Sequence, residues 1–208
     1  MRHVVSAVLI PLALGACVAV GAQSSFKSIW KAPDAGPMNY FGKKIAAVVM
    51  TDDQGLQMSA EEALVRELSA RGVQAVAAYR MIPREELREA EKAKAWFERS
   101  AVAGAVIMRV VSMERDVTYR PGQWSNVYYQ SMWGYYNYGW AAVYVPGGRS
   151  EQSSVTVETL IFDVPTAKLL WAGVSETTNP KGAQRVVAEL VAQVGEQLRQ
   201  AGLVVRIK

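Results

Sequence analysis

Three continuous apolar runs alternate with two amphipathic segments in the first half of the chain. The runs cover residues 45–50, 73–79 and 104–113, and their lengths are typical of strands buried on both faces. One helix is predicted to begin at the capping box Ser59-Ala60-Glu61-Glu62 and the next at Pro83, because these residues favour helix starts. This alternation predicts parallel βαβ units. The second helix should bury a stripe made of Leu87, Ala90, Ala93 and Phe97.

The pattern changes in the second half, where two apolar strands follow each other directly. They are predicted over 153–162 and 168–177, joined by a proline-containing turn at 163–168. Asn179-Pro180 should cap a last helix. The order β-α-β-α-β-β-β-α predicts a single α/β domain over 43–203, a mixed sheet of about five strands flanked by helices. The apolar face of the last helix is formed by Val186, Val187, Leu190, Val191, Val194 and Leu198.

The N-terminus is predicted to be a lipoprotein signal peptide. A basic start precedes an uncharged segment that extends to Ala22. Within it, Leu14-Gly15-Ala16-Cys17 resembles a lipobox, the cleavage and acylation motif of bacterial lipoproteins. Residues 1–16 would then be removed, Cys17 would carry the lipid with its palmitate chains, and residues 17–42 would form a lipidated N-terminus and tether. Two alternatives stay open: an uncleaved membrane anchor, and ordinary cleavage after Ala22, which would discard Cys17.

Composition narrows the chemistry of the mature chain. Without residues 1–16 it contains no histidine, and Cys17 is its only cysteine. Triad hydrolases, Cys-His enzymes and zinc, haem or iron–sulfur sites therefore lose their usual residues. The full chain has a net charge of +4. Its charged residues are interspersed along the sequence rather than clustered as in nucleic-acid-binding proteins. We expect no cofactor, no metal, no nucleic acid and no enzyme activity, with a carboxylate-based or Ser-Lys enzyme as the catalytic alternative.

An aromatic insertion at 120–150 separates the two halves of the domain as a long loop or hairpin. Loops of this length are uncommon and often functional or disordered, and Tyr and Trp favour interfaces. Three interpretations stay open: an extension of the flanking strands or a partly disordered loop, a docking surface for a protein or a second copy, and a surface for peptidoglycan or the membrane interface. The candidate interaction residues are Trp124, Tyr128, Tyr129, Trp133, Tyr135, Tyr136, Tyr138 and Trp140.

Two polar positions are candidates for other sites. Asp52-Asp53 follows the first strand at the sheet edge where open α/β folds bind ligands. These carboxylates are either Mg²⁺ or Ca²⁺ ligands or, as we favour, part of a solvated turn. Arg109 lies among apolar neighbours in the third strand, which favours a buried ion pair or an edge position over a ligand contact.

Several motifs together resemble a known group of envelope proteins. They are Trp30-Lys31-Ala32-Pro33, the strand at 45–50 with Asp52-Asp53, Val157-Glu158-Thr159, Leu169-Leu170-Trp171-Ala172-Gly173 and Ser175-Glu176-Thr177. The chain resembles the periplasmic α/β domain shared by the TolB N-terminal domain, the curli secretion lipoprotein CsgG and the penicillin-binding-protein activator LpoB. It resembles more closely a group of uncharacterised proteobacterial lipoproteins. The resemblance implies a fold and a compartment, and no catalytic residue.

The sequence therefore predicts a non-catalytic binding or assembly accessory of a cell-envelope complex. It would be anchored to the membrane through Cys17, and Val18 after that cysteine favours the outer membrane, facing the periplasm. The expected partner is an envelope protein or a second copy of the chain. A peptidoglycan-binding module is the alternative.

Overall fold

The computed structural model describes residues 23–40, 42–115, 131–139 and 153–203. The strands of these residues are β1 Gln23–Lys31, β2 Lys44–Met50, β3 Gln74–Ala77, β4 Gly104–Arg115, β5 Ser153–Asp163 and β6 Lys168–Thr178. The helices are α1 Gln54–Ser69, α2 Ala78–Met81, α3 Arg84–Leu87, α4 Ala90–Arg99, α5 Met132–Gly139 and α6 Ala183–Gln200. The strands form one mixed sheet in the order β1-β6-β5-β4-β2-β3. This confirms the α/β class, with six strands instead of about five.

The sheet is the middle of three layers. Strand β2 is buried over 45–50 because helices cover both of its faces. On one face its residues Ala46, Val48 and Met50 share a core cluster with helices α2 to α5. On the other face Ile45, Ala47 and Val49 share a cluster with α1 and α6. The continuous apolar run therefore supplies both cores.

Strand β1 is the element that the hydrophobic pattern does not predict. It is largely polar and pairs antiparallel with β6 along its length, with a bulge near Phe26. The Phe26 ring packs edge-to-face against Trp171, with ring centroids 5.8 Å apart. Backbone pairing, this aromatic contact and polar contacts such as those of Ser24 with Thr177 and Glu189 thus hold β1 in place. The segment 17–42, assigned to a lipidated N-terminus and tether, contains this sheet strand.

Helix α1 begins earlier than the capping box predicts. Its N-cap is Asp53, whose carboxylate accepts the amide hydrogen of Leu56 at 3.0 Å. Ser59 lies inside the helix, and Glu62, the acid that a capping box starting at Ser59 would use, accepts a hydrogen bond from the Tyr79 hydroxyl at 2.7 Å. The capping-box prediction is therefore wrong, because Asp53 caps the helix six residues earlier.

The helix predicted from Pro83 is divided into α3 and α4, and a separate short helix, α2, precedes it. Strand β3 ends at Ala77, because the next residues turn into α2. The stripe formed by Leu87, Ala90, Ala93 and Phe97 is buried, as the pattern predicts. Helix boundaries differ while the buried face is the expected one.

The second half follows the sequence pattern closely. Strands β5 and β6 match the predicted spans within a residue at each end. The six predicted apolar positions of α6 are buried. Asn179 does not cap that helix, because its side chain accepts the amide hydrogen of Ser153 at 3.3 Å and ties β6 to β5. Helix α6 begins after Gly182, whose φ of 90° favours glycine.

Candidate functional site

Three strands and two helices meet at one edge of the sheet. Strands β2 and β4 run parallel, and the two antiparallel pairings through β5 give β6 the same direction. Helix α1 follows β2 and helix α6 follows β6, so both helices begin at the carboxyl ends of these strands. This is the edge at which open α/β sheets bind ligands.

An apolar cavity, here called the edge cavity, lies at this edge between the first turns of α1 and α6 and the sheet. Its volume is about 750 Å³, within the usual range of about 300–1,000 Å³ for small-molecule sites. Among the described residues, no charged one lines it, and the polar ones include Ser153 and Ser154. Such a lining suits an apolar ligand. Its aliphatic walls include Val49, Leu56, Met108, Val157, Val186 and Leu190.

Small residues near the starts of α1 and α6 make room for the edge cavity. Ala60 of α1 and Ala183 of α6 both line it, where larger side chains would close the gap. Met113 of β4 also lines it and is 54% exposed. A large apolar side chain with this exposure gives the cavity an apolar mouth.

A second cavity, here called the opposite cavity, lies near the other ends of α1 and α6. Its volume is about 640 Å³, and Leu64, Leu68 and Leu198 form part of its wall. Arg71 and Arg199 also line it. The two cavities share Met108 but differ in chemistry, because among the described lining residues arginines occur in the opposite cavity alone.

Glu61 is a fully buried carboxylate near the same edge. It accepts the amide hydrogens of Val49 at 3.0 Å and Tyr79 at 2.9 Å, and the side-chain amide of Gln57 at 3.2 Å. Burial raises its pKa to about 7, although these hydrogen bonds favour the ionised form. Burial and the nearby Glu61 carboxylate also raise the pKa of Tyr136. Glu61 thus joins α1 to β2 and to the start of α2.

The sequence contains a pattern that identifies Glu61 as buried. Gln57, Glu61 and Leu64 are spaced by four and three residues, which places them on one helix face. All three are buried in the structure. The capping-box interpretation obscured this spacing.

Asp52 and Asp53 do not face each other as a pair of ligands. Asp53 caps α1, and Asp52 forms an ion pair with Arg88. Within residues that the structure describes, no three His, Cys, Asp or Glu side chains are grouped to hold a metal ion. The described contacts of these two carboxylates are thus an N-cap and an ion pair.

Arg109 forms the buried ion pair that the sequence favours. Its Nε lies 3.1 Å from Oε2 of Glu158, and the two side chains are only 7% and 4% exposed. The residues face each other across β4 and β5. Pairing across adjacent strands explains how both charges are buried.

The structure describes part of the predicted aromatic surface. Residues 132–139 form helix α5, so the continuous-hairpin alternative fails there. Tyr136 is fully buried against Phe97, with ring centroids 6.3 Å apart, and Trp133 packs beside it. Tyr136 is therefore part of the core, while Trp133 remains half-buried. Only the backbone is described for Tyr135 and Tyr138, and Trp124, Tyr128, Tyr129 and Trp140 lie outside the described residues.

The predicted lipidation site also lies outside the described residues. Cys17 stands six positions before Gln23, where β1 begins. Among the helices that the structure describes, none combines the length and apolar character needed to cross a bilayer. The six positions between Cys17 and Gln23 make the distance along the chain from Cys17 to the sheet short.

Comparisons with known proteins give matches among solved structures. No family model matches the chain, and neither does any curated protein. PelC from Paraburkholderia phytofirmans, a dodecamer, aligns with a TM-score of 0.48 at 14% identity, over 88% of this chain and 100% of that one. A variant of that PelC, also a dodecamer, aligns with a TM-score of 0.45 at 16% identity, over 84% and 95%. The lipoprotein GNA1162 from Neisseria meningitidis aligns with a TM-score of 0.39 at 12% identity, over 76% and 99%.

Proposed function

We propose that this protein is a lipid-anchored, non-catalytic binding accessory of a bacterial cell-envelope complex, held close to the outer membrane and facing the periplasm. The observation that carries the proposal is the short distance along the chain between Cys17 and the sheet. A chain spans at most about 3.6 Å per residue, so these positions are no more than about 22 Å apart. An acylated Cys17 would keep the domain at the membrane surface.

The chemistry of the candidate site supports binding rather than catalysis. The edge cavity is lined by aliphatic side chains and lies where α/β folds bind ligands. Reactions by general acid–base or nucleophilic groups need polar side chains aimed at a substrate, and the described lining offers only serines as side chains of that kind. The motif resemblance to the TolB, CsgG and LpoB group supports an envelope role.

The test of the anchor compares the wild type with Cys17→Ala in the native host. We expect the wild type in the membrane fraction with an acylated Cys17 by mass spectrometry, and the variant to leave that fraction. Two acyl chains suffice for stable attachment, whereas one gives only marginal binding. A wild-type N-terminus without lipid would contradict the proposal.

The test of the partner uses photo-crosslinking from position 133, on the half-buried edge of α5, and from position 138. Glu98, exposed on α4, is the control position. We expect crosslinks to an envelope protein or to a second copy from 133 or 138, and fewer from 98. An accessory role is contradicted when neither position yields a protein crosslink above the control.

A further inference from the structure

We propose that the edge cavity binds an acyl chain carried by Cys17 of the same polypeptide. The inference rests on the lipid anchor proposed above, and adds an intramolecular site for part of that lipid. It begins from where the described chain starts. Gln23, the first residue of β1, is paired with Thr178 of β6, and Thr178 is paired on its other side with Ser154 of β5.

That pairing places the start of β1 beside the cavity. Ser154 lines the edge cavity, and so does Pro180, two positions after Thr178. A single strand, β6, therefore lies between Gln23 and the lining residue Ser154. The six positions back to Cys17 allow a reach of about 22 Å at full extension. The lipidated cysteine can thus reach the mouth of the cavity without any change in the sheet.

The lining matches the chemistry of an acyl chain. The walls that the structure describes are largely aliphatic, with no charged residue among them, and the volume is about 750 Å³. An acyl chain in water exposes apolar surface, and its transfer to such a cavity is favourable in proportion to the area buried. One chain in the cavity leaves the others of the lipid for the bilayer.

The opposite cavity does not meet these conditions. It contains Arg71 and Arg199, and lies near the carboxyl end of α6. Helix α6 has 18 residues, so its two ends are about 27 Å apart at the usual helical rise. We therefore assign the acyl chain to the edge cavity, which lies near the start of β1 and has no charged residue in its described lining.

The experiment feeds cells a photoreactive, alkyne-bearing palmitate analogue, which the lipoprotein pathway would attach to Cys17. The full-length protein is irradiated in its membrane, isolated through the alkyne and digested with trypsin. The diagnostic peptide covers 110–115, because Val110 and Met113 line the edge cavity and neither lines the opposite one. We expect Cys17 to be joined to this peptide within one polypeptide.

Two matched variants of α6 test which cavity is used. Ala183→Phe places a ring in the edge cavity, and Gly195→Phe places the same ring in the opposite cavity, where a side chain has open space. We expect Ala183→Phe to lose most of the crosslink to 110–115 and Gly195→Phe to keep it. Thermal unfolding of both variants checks their folding, and the wild-type crosslink map decides the assignment independently of either variant.

The outcomes separate this inference from the proposed anchor. Label on Cys17 with crosslinks only to membrane lipids, to other proteins or to the opposite cavity overturns the inference and leaves the anchor in place. Absence of label on Cys17 overturns both. Crosslinks between light and heavy isotope-labelled copies would show that the chain comes from a second molecule, which also overturns binding within one polypeptide.

Discussion

At the scale of single residues, the carboxylate of Glu61 links stability to pH. Its pKa of about 7 in the folded protein exceeds the ordinary value of 4.5 because the group is buried. Between these pH values the folded state keeps a proton that the unfolded state has released. The free energy of unfolding therefore falls as pH rises through this window. The contribution is fully present below the lower value and lost above the upper one.

We expect this group to lower the free energy of unfolding by about 3 kcal/mol between pH 4.5 and 7. Glu61→Gln cannot titrate, so the variant should show a correspondingly weaker dependence on pH. Urea denaturation at a series of pH values measures this difference. The matched control is Glu98→Gln on the exposed surface, which should keep the wild-type slope. Equal slopes in the wild type and Glu61→Gln would refute the assignment.

The ion pair of Arg109 and Glu158 predicts a different pattern. Arg109→Met removes a guanidinium from a carboxylate that stays buried, and the expected loss is about 3–5 kcal/mol. Replacing both, with Arg109→Met and Glu158→Leu, should recover most of this loss, because no buried charge remains from the pair. Thermal and urea unfolding of the double-mutant cycle measure the coupling.

A surface ion pair serves as the control for this cycle. Arg185 and Glu189 lie 3.3 Å apart, one turn along α6, and are more exposed than the buried pair. Arg185→Met should therefore cost less than about 1 kcal/mol. A loss for Arg109→Met no larger than this control would show that the buried pair has no special role.

At the scale of elements, β1 is held to β6 by a close aromatic contact that depends on Gly173. A Cβ at this position would overlap the Trp171 ring and lie 2.8 Å from the Phe26 ring. Gly173→Ala should therefore displace the rings and destabilise the protein by about 1–3 kcal/mol. Thermal unfolding, together with tryptophan fluorescence of the folded state, measures the effect.

The same substitution in α6 should act in the opposite direction. A Cβ at Gly195 meets nothing within 4 Å, and alanine in a helix interior is favoured over glycine by about 0.5–1 kcal/mol. Gly195→Ala should raise stability while Gly173→Ala lowers it. Equal effects of the two changes would contradict the packing described for β1 and β6.

The sheet edge formed by β1 is also protected from pairing with other chains. The bulge after Phe26 interrupts its register, and Lys27 and Lys31 place charges along it. Bulges and lysines are common devices against edge-to-edge association. The polar sequence that conceals β1 from the hydrophobic pattern therefore has a role at the sheet edge.

At the scale of the whole molecule, the short segment before β1 should determine how far the domain stands from the membrane. A thiol introduced by Met113→Cys would be the only free one, since Cys17 would be acylated. A fluorophore there should transfer energy efficiently to acceptor-labelled lipid headgroups. Inserting about 30 Gly/Ser residues after Ala22 adds a mean reach of about 30 Å, and should reduce the transfer markedly. Unchanged transfer would contradict a short anchor.

Much of the fold follows from hydrophobic periodicity. The buried positions of α6 and the stripe from Leu87 to Phe97 lie where a helical period places them. The start of α1 and the existence of β1 and α5 do not follow from it. The start of α1 is set by a local cap at Asp53 instead of Ser59. Strand β1 and helix α5 depend on partners distant in sequence: Phe26 contacts Trp171, and Met132 donates its amide hydrogen to the carbonyl of Ala167.

The sequence by itself determined the α/β class and the order of the central elements, and it predicts the anchor at Cys17 and favours a buried ion pair or an edge position for Arg109. These follow from local patterns and from the free energy of burying charge. The tertiary structure decided the sixth strand, the hydrogen-bond partners of Glu61, the burial of Tyr136, and the edge cavity beside the start of β1. A cavity is the space between elements, so its position depends on how helices pack on the sheet, which no local pattern encodes.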